Sequence, residues 1–110
     1  MANTFKSVGM LDVTTGYTTL YAAGSGVTTV ILGLALCNKT ADAVDVTVQM
    51  QDTSASSADF QVLDTVSIPG RTTLEVLAGQ KYILETTDVL RVKAGTASAI
   101  DAILGIMEIT

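Results

Sequence analysis

Two segments of the chain are apolar at nearly every position, whereas a half-buried strand alternates apolar with polar residues. They are Val30–Cys37 (VILGLALC) and Ile100–Ile109 (IDAILGIMEI). Successive side chains of a strand point to opposite faces, so both segments present apolar side chains on both faces. A chain of 110 residues buries one such face in its own core. Burying the other face takes a second sheet layer or a second copy of the molecule, which predicts a protein that assembles.

The alternation within each segment predicts which residues meet a neighbouring copy. In the second segment, the face opposite Ile100 carries Ile103, Gly105, Met107 and Ile109. In the first segment, strict alternation separates Val30, Leu32, Leu34 and Leu36 from Ile31, Gly33, Ala35 and Cys37. Glycine allows a neighbouring backbone to approach closely. We therefore predict a contact between subunits through Ile103, Gly105, Met107, Ile109, Ile31 and Gly33.

Strand-like runs separated by turn residues continue along the whole chain. The predicted strands are Thr4–Met10, Tyr17–Ala22, Val27–Asn38, Val44–Met50, Phe60–Ile68, Leu74–Leu77, Tyr82–Leu84, Val89–Ala94 and Ile100–Ile109. Eight or nine short strands with glycine-rich turns are typical of an antiparallel β-sandwich of the jelly-roll type. The sequence thus predicts an all-β fold with one domain over residues 1–110, in which residues 1–10 form an edge strand or an N-terminal arm.

Three local features refine this pattern. Asp64 interrupts the apolar parity of its strand and predicts a bulge, because a lone buried carboxylate is costly. Pro69-Gly70-Arg71 is the strongest turn signal and would present Arg71 to a carboxylate of a partner. The last predicted strand is expected to have an open edge, which invites pairing with another chain.

Charge and composition exclude several classes of function. The net charge is −5 and the six basic residues are scattered, so no basic patch for nucleic acid is expected. The chain has no histidine, which excludes Ser-His-Asp and Cys-His catalysis. Its apolar runs are shorter than a membrane-spanning helix requires. We therefore predict a protein that is not an enzyme and binds neither nucleic acid nor a membrane.

The remaining candidate sites have simpler structural explanations. Glu85 and Asp88 flank a turn and could hold calcium, but a side-chain cap of the turn is favoured, since calcium takes six to eight oxygen ligands. The lone Cys37 is expected to be a buried thiol. No metal or cofactor is therefore expected. Tyr17 and Tyr21 are an even number of residues apart, so strand alternation would place both on one surface. This keeps a host-receptor or glycan-binding module open as an alternative.

Two stretches carry a resemblance to a known group of proteins. Ile68–Thr110 reads IPGRTTLEVLAGQKYILETTDVLRVKAGTASAIDAILGIMEIT, and Leu36–Val48 reads LCNKTADAVDVTV. An apolar strand ending in Asn, a Val-alternating strand, an Ile-Pro-Gly corner and a terminal strand ending Glu-Ile-Thr resemble short virion structural proteins of tailed bacteriophages. The likeness spans about Val30 to Thr110. It implies a β-sandwich component of the particle without catalysis, and it supplies no binding residues to transfer.

Together these observations lead to one leading hypothesis. The chain is expected to be a capsid decoration (cement) protein that assembles as a symmetric homo-oligomer, with a trimer as the assumed stoichiometry. Its expected partners are the major capsid protein or other virion proteins, and its expected location is the virion after synthesis in the host cytoplasm. A structural role in the head–tail neck, the tail or the baseplate is the alternative that uses the same features.

Overall fold

The computed structural model describes residues 3–53, 58–76 and 81–110, and within these ranges it contains nine strands and no helix. The strands are β1 (Asn3–Met10), β2 (Thr18–Ala22), β3 (Thr28–Asn38), β4 (Val44–Asp52), β5 (Ala58–Ile68), β6 (Thr73–Glu75), β7 (Tyr82–Leu84), β8 (Val89–Ala94) and β9 (Ile100–Ile109). Every predicted strand has a counterpart, and the last three agree residue for residue. Leu77, at the end of the sixth predicted strand, lies outside the described residues.

The strands form two antiparallel sheets. Sheet A has the order β1-β9-β3-β6, with β7 also paired to β3, and sheet B has the order β2-β8-β4-β5. Successive strands from β1 to β4 alternate between the two sheets, and β8 and β9 return beside β2 and β1. This is the strand order of a jelly roll. The predicted all-β antiparallel sandwich is confirmed.

Alternating side chains of the two sheets form the core between them. The inward residues of β4 and β9 are at most 4% exposed: Val44, Val46, Val48, Ile100, Ala102, Leu104 and Ile106. Full burial of a Leu or Ile side chain is worth about 1.5–3 kcal/mol, so these positions account for much of the stability of the fold. The inward face predicted for β9 is confirmed.

A bulge in β3 overturns the alternation predicted for Val30–Cys37. The β3–β9 register shifts between Ile31 and Gly33, which inserts an extra residue into β3. An extra residue moves every following side chain to the other face. Ile31 and Leu34, predicted on opposite faces, therefore both face the core and are 1% and 3% exposed. Ile31 was assigned to the outer face wrongly, and its side chain is not available for a contact between subunits.

The last strand does not have an open edge. β9 lies between β1 and β3, and β1 pairs with it without a register shift from Asn3 opposite Ile109 to Met10 opposite Ala102. The expectation that β9 is an edge strand is wrong, because the first strand covers it. Residues 3–10 are thus an edge strand in this structure and not a free arm.

The bulge predicted at Asp64 is present in β5. Val66 lies opposite Val46, but Leu63 lies opposite Val48, so the register shifts between the two pairs. Thr65 has a φ of 52°, and Asp64 is exposed. The bulge turns the carboxylate to solvent while the apolar residues on either side continue to face the core.

A buried asparagine joins two turns at one corner of the sandwich. The side-chain amide of Asn38 donates hydrogen bonds to the carbonyls of Asp42 (2.8 Å) and Ile68 (2.9 Å), and its Oδ1 accepts one from the Thr40 amide (2.9 Å). A Cβ on Gly70 would lie 2.2 Å from the Ala41 carbonyl oxygen, so only glycine fits there. The end of β3 at Asn38, the turn at residues 40–42 and the turn at residues 68–71 are thereby held together, and we call these residues the Asn38 corner.

Candidate assembly surface

The outer face of sheet A carries an unusual number of exposed apolar side chains. Phe5, Leu32, Ile83 and Ile103 are 71%, 40%, 51% and 60% exposed, respectively. Cross-strand pairing places them on one surface, because Phe5 lies opposite Met107 and Ile83 lies opposite Val30, both of which point outward. A concentration of large apolar side chains on one face of a small protein marks an interaction surface.

The outward side chains of neighbouring strands form rows that run across the sheet, and the rows differ in height. One apolar row consists of Phe5, Met107, Val30 and Ile83, and a second consists of Gly9, Ile103 and Ala35. Between them Ser7, Gly105 and Gly33 form a row of small residues, which we call the glycine trough. A hollow of about 210 Å³ opens there, lined in part by Phe5 and Leu32. A side chain from another molecule can therefore enter the trough between the two apolar rows.

Space above the trough is empty in the single chain. A Cβ on Gly33 or on Gly105 would meet no atom within 4 Å. Neither glycine has a positive φ, so neither is needed for the backbone conformation. The fold of one chain therefore does not explain why these two positions lack a side chain.

Charged residues lie at the margins of this face and not at its centre. Glu75 lies opposite Ala35 on the edge strand β6, and an ion-paired group lies at one end. Lys39 contacts Asp12 and lies 3.0 Å from Asp101, whose Oδ1 accepts a hydrogen bond from the Asp12 amide (3.0 Å). The Asp12 amide, together with the Lys39 ammonium, lowers the pKa of the Asp101 carboxyl. The Asp12 and Asp101 carboxylates in turn raise the pKa of Lys39. An apolar centre with a polar, ion-paired rim is the usual anatomy of a protein interface.

Five of the six predicted contact residues lie on this surface. Ile103, Gly105, Met107, Ile109 and Gly33 face outward from sheet A, whereas Ile31 is in the core. Cys37 also lies on the outer side and is half-buried in the single chain, so its prediction as a buried thiol is wrong.

Sequence reasoning missed three residues of the same face. Phe5 belongs to it only because β1 pairs with β9, Leu32 because of the β3 bulge, and Ile83 because β7 pairs with β3. No local signal marks the strand pairings, although the isolated aromatic residue in β1 could have drawn attention to Phe5. Arg71 is exposed on the Asn38 corner, with a φ of 60°.

The outer face of sheet B is polar. The Tyr17 ring has Lys93 Nζ at 4.5 Å and Arg91 Cζ at 5.2 Å from its centroid, and Arg91 is also 3.6 Å from Asp59. A hollow of about 270 Å³ beside Lys93 is lined largely by threonines and Asp45. The two cations already occupy the vicinity of the ring, which leaves it poorly suited as a platform for a sugar.

Tyr21 does not share this surface. A register shift between Thr19 and Tyr21 turns its side chain inward, so the predicted common face with Tyr17 is wrong. Its hydroxyl donates to Glu108 (2.5 Å), and Glu108 forms an ion pair with Lys6 (2.8 Å). Burial, followed by the hydrogen bond to Glu108, raises the pKa of Tyr21. Tyr21 belongs to sheet B and Glu108 to sheet A, so this contact ties the two sheets together.

The Glu108 contacts make one end of the sandwich sensitive to acid. The Lys6 ammonium and then the Tyr21 hydroxyl lower the pKa of the Glu108 carboxyl. A lowered pKa in the folded state contributes stability that is present above the unfolded pKa and is lost as pH falls through the folded value. We expect the Glu108 carboxyl to titrate below the ordinary range of glutamate in an NMR pH series, and Lys6→Met to raise that midpoint. A midpoint unchanged by Lys6→Met, or moved equally by Lys39→Met, would contradict this assignment.

The structure also resolves the predicted turn at Glu85–Asp88. Asp88 is 2% exposed, and its Oδ2 accepts a hydrogen bond from the Glu85 amide (3.0 Å). The interpretation of Asp88 as a cap of the turn is confirmed. Among the residues that the structure describes, no group of three His, Cys, Asp or Glu side chains is arranged to hold a metal ion. Nor do residues 3–53, 58–76 and 81–110 contain a helix long and apolar enough to cross a membrane.

Comparison with known proteins identifies the fold. No protein-family model and no curated protein sequence matches the chain. A chain of the disulfide-linked pili that form Bacillus endospore appendages is similar, with a TM-score of 0.56 at 11% identity over 97% of this chain and 84% of that one. A chain of the acid-stable capsid of Helicobacter pylori bacteriophage KHP30 has a TM-score of 0.55 at 10% identity over 98% and 87%.

A chain of the T13 particle of infectious bursal disease virus is similar over a smaller share of its length. Its TM-score is 0.50 at 10% identity, over 96% of this chain and 30% of that one. At such low sequence identity these structural similarities show the fold alone, a β-sandwich that also occurs in chains of viral particles and of a spore appendage.

Proposed function

We propose that this chain is a non-enzymatic structural protein of a bacteriophage virion, and specifically a capsid decoration protein that assembles as a symmetric homo-oligomer, with a trimer as its stoichiometry. The observation that carries the proposal is the apolar outer face of sheet A. Its exposed side chains and its empty glycine trough have no role in a single chain. A virion protein is present in many copies, so a neighbouring copy is always available to cover such a face.

The size of the face supports this proposal. Sheet A has three strands of eight, ten and eleven residues and a fourth position that β6 and β7 share with three residues each. With strands about 4.8 Å apart and about 3.4 Å per residue, this face spans roughly 600 Å². Covering this face with a second surface buries on the order of 1,200 Å² in total, which lies at the lower end of stable, specific interfaces. The proposed contact consists of Ile103, Gly105, Met107, Ile109 and Gly33, to which the structure adds Phe5, Leu32 and Ile83.

A second surface is proposed for the partner in the shell. The Asn38 corner holds Arg71 in an exposed turn, where the Arg71 amide donates to the Thr40 carbonyl (2.9 Å). This fixed backbone leaves the guanidinium free to bind a carboxylate in a bidentate manner. We assign Arg71 to the contact with the major capsid protein or another virion protein. The similarity to a phage capsid chain supports the virion as the location, since the two chains share nearly their whole length.

Immunogold labelling of intact virions, from cells that produce this protein, tests the proposal. Gold spread over the whole shell is the expected result. Gold confined to the neck, tail or baseplate would contradict decoration and support the alternative structural role. Virions without label, with the protein found only in the unassembled fraction, would contradict a role in the particle.

A further inference from the structure

The four edges of the two sheets are not equally protected against pairing with another chain. Exposed sheet edges are usually blunted by short strands, bulges or proline. On one side of sheet A the edge consists of β6 and β7, which have three residues each. In sheet B, β2 has a register shift within five residues, and β5 has two register shifts.

The edge formed by β1 has none of these protections. It is eight residues long, pairs with β9 without a register shift, and contains no proline. Only Lys6 is charged, and it forms an ion pair with Glu108 of its own chain. Residues Asn3–Ser7 are exposed, and only Val8 and Met10 of β1 pack against the core. Among the described residues, β1 therefore presents the one long, regular edge.

We propose that β1 of one copy pairs antiparallel with β1 of a second copy across a two-fold axis, which joins their A sheets into one continuous sheet. The properties of the other edges indicate that the partner of β1 is a second β1. A head-to-tail contact would require a second receptive edge on the same chain, and the other described edges are short or bulged. A contact of β1 with itself requires only one surface, as in any two-fold interface.

The side chains of β1 favour one register. Centring the pair on Ser7 places Phe5 over Gly9 of the partner subunit, so the most exposed aromatic ring of the strand covers a residue without a side chain. It also places Lys6 opposite Val8 of the partner subunit. Centring the pair on Lys6 would instead oppose two like charges, which is unfavourable. The Ser7 register pairs Thr4–Met10 of each copy.

This contact uses the edge of sheet A, whereas the proposed trimer contact uses the outer face. One copy can make both contacts at once, because the Ser7 register leaves Ile103, Gly33 and Gly105 uncovered. The junction also extends the face, since the glycine trough of one copy meets that of the next at Ser7. The inference does not depend on a role in the virion, and it is tested with the purified chain.

Site-specific disulfide formation tests the pairing. In a Cys37→Ser background, Ser7→Cys places two thiols directly opposite each other. Cα atoms of opposite antiparallel residues are about 4.5–5.5 Å apart, within the range that a disulfide spans. Under mild oxidation at micromolar concentration, we expect most of the Ser7→Cys protein to migrate as a covalent dimer on a non-reducing gel. Thr4→Cys is the matched control, since the two Thr4 positions lie about 20 Å apart in this register. It should migrate as a monomer on the same gel.

Mixing two variants tests the register independently. Phe5→Cys and Gly9→Cys, in the same background, should form a disulfide-linked heterodimer together, and neither should cross-link readily alone. Cross-linking of Thr4→Cys as fast as Ser7→Cys would show random collision and overturn the inference. A lack of cross-linking at Ser7, in a protein that is still oligomeric by sedimentation, would also overturn it and would leave the outer-face contact standing.

Discussion

Replacing Asn38 with alanine is expected to lower the free energy of unfolding by about 3 kcal/mol. The side chain is completely buried and donates to two carbonyls, those of Asp42 and Ile68, which lie in different turns. Its Oδ1 also accepts the Thr40 amide. Removal takes this partner from the buried Ile68 carbonyl and from the part-buried Asp42 carbonyl and Thr40 amide, although the Asp42 carbonyl keeps the Thr40 hydroxyl as a donor (3.0 Å). Each lost hydrogen bond costs about 1 kcal/mol. Equilibrium unfolding in urea measures the effect as a lower midpoint with an unchanged slope.

Two further variants of the same corner make this result specific. Asn38→Asp keeps the shape but cannot donate to the two carbonyls, so we expect it to destabilise the protein at neutral pH by a similar amount. Asp42→Ala removes only an exposed side chain and keeps the carbonyl that Asn38 binds, so its effect should stay below about 0.5 kcal/mol. A loss for Asn38→Ala no larger than that for Asp42→Ala would show that the corner does not depend on the asparagine.

Valine at Gly33 or Gly105 is expected to abolish the outer-face contact between copies without destabilising the single chain. The added side chain starts in open space, because a Cβ at either position has no atom of its own chain within 4 Å. Valine favours strands more than glycine does, by up to about 1 kcal/mol. Both effects should keep or raise the stability of the monomer. In the assembly, however, the added side chain fills the trough and prevents close contact of the neighbouring surface.

The combination of unfolding and sedimentation measurements separates these two effects. Urea unfolding at low protein concentration should show an equal or higher midpoint for Gly33→Val and Gly105→Val. Sedimentation should show loss of the outer-face oligomer, with no species larger than the dimer paired through β1. Thr19→Val is the matched control, because it places valine on an exposed position of β2, in sheet B, and should leave the mass unchanged. Retention of the wild-type mass by both glycine variants would place the subunit contact elsewhere.

The strands were predictable because their signals are local. β8 and β9 begin and end where the alternation and the turn residues place them. The bulge at Asp64 was predicted because a carboxylate interrupts the alternating apolar positions of its strand. Inward and outward faces were correct wherever the alternation is regular, as along β9. Gly105 was therefore placed on the outer face from the sequence. Gly33, which follows the bulge in β3, also faces outward as predicted.

The errors arose from interactions between residues distant in the sequence. The bulge at Leu32 depends on the register between β3 and β9, and no pattern within VILGLALC specifies it; as a result Ile31 was placed on the wrong face. β9 looked like an edge because its cover, β1, lies at the other end of the chain. A strand end was predicted at Asn38, but the hydrogen bond to Ile68, thirty residues away, became apparent only with the fold.

The mass of the purified wild-type chain in solution tests most directly whether another copy covers the apolar face of sheet A. Analytical ultracentrifugation over a range of micromolar concentrations should show a reversible oligomer, which is a trimer where only the outer-face contact forms and a larger species where the β1 edges pair as well. The measurement is made in the presence of a reducing agent, so no disulfide through Cys37 contributes. A single monomeric species at every concentration, up to the highest that remains in solution, would contradict the claim that the apolar face of sheet A exists to be covered by another copy.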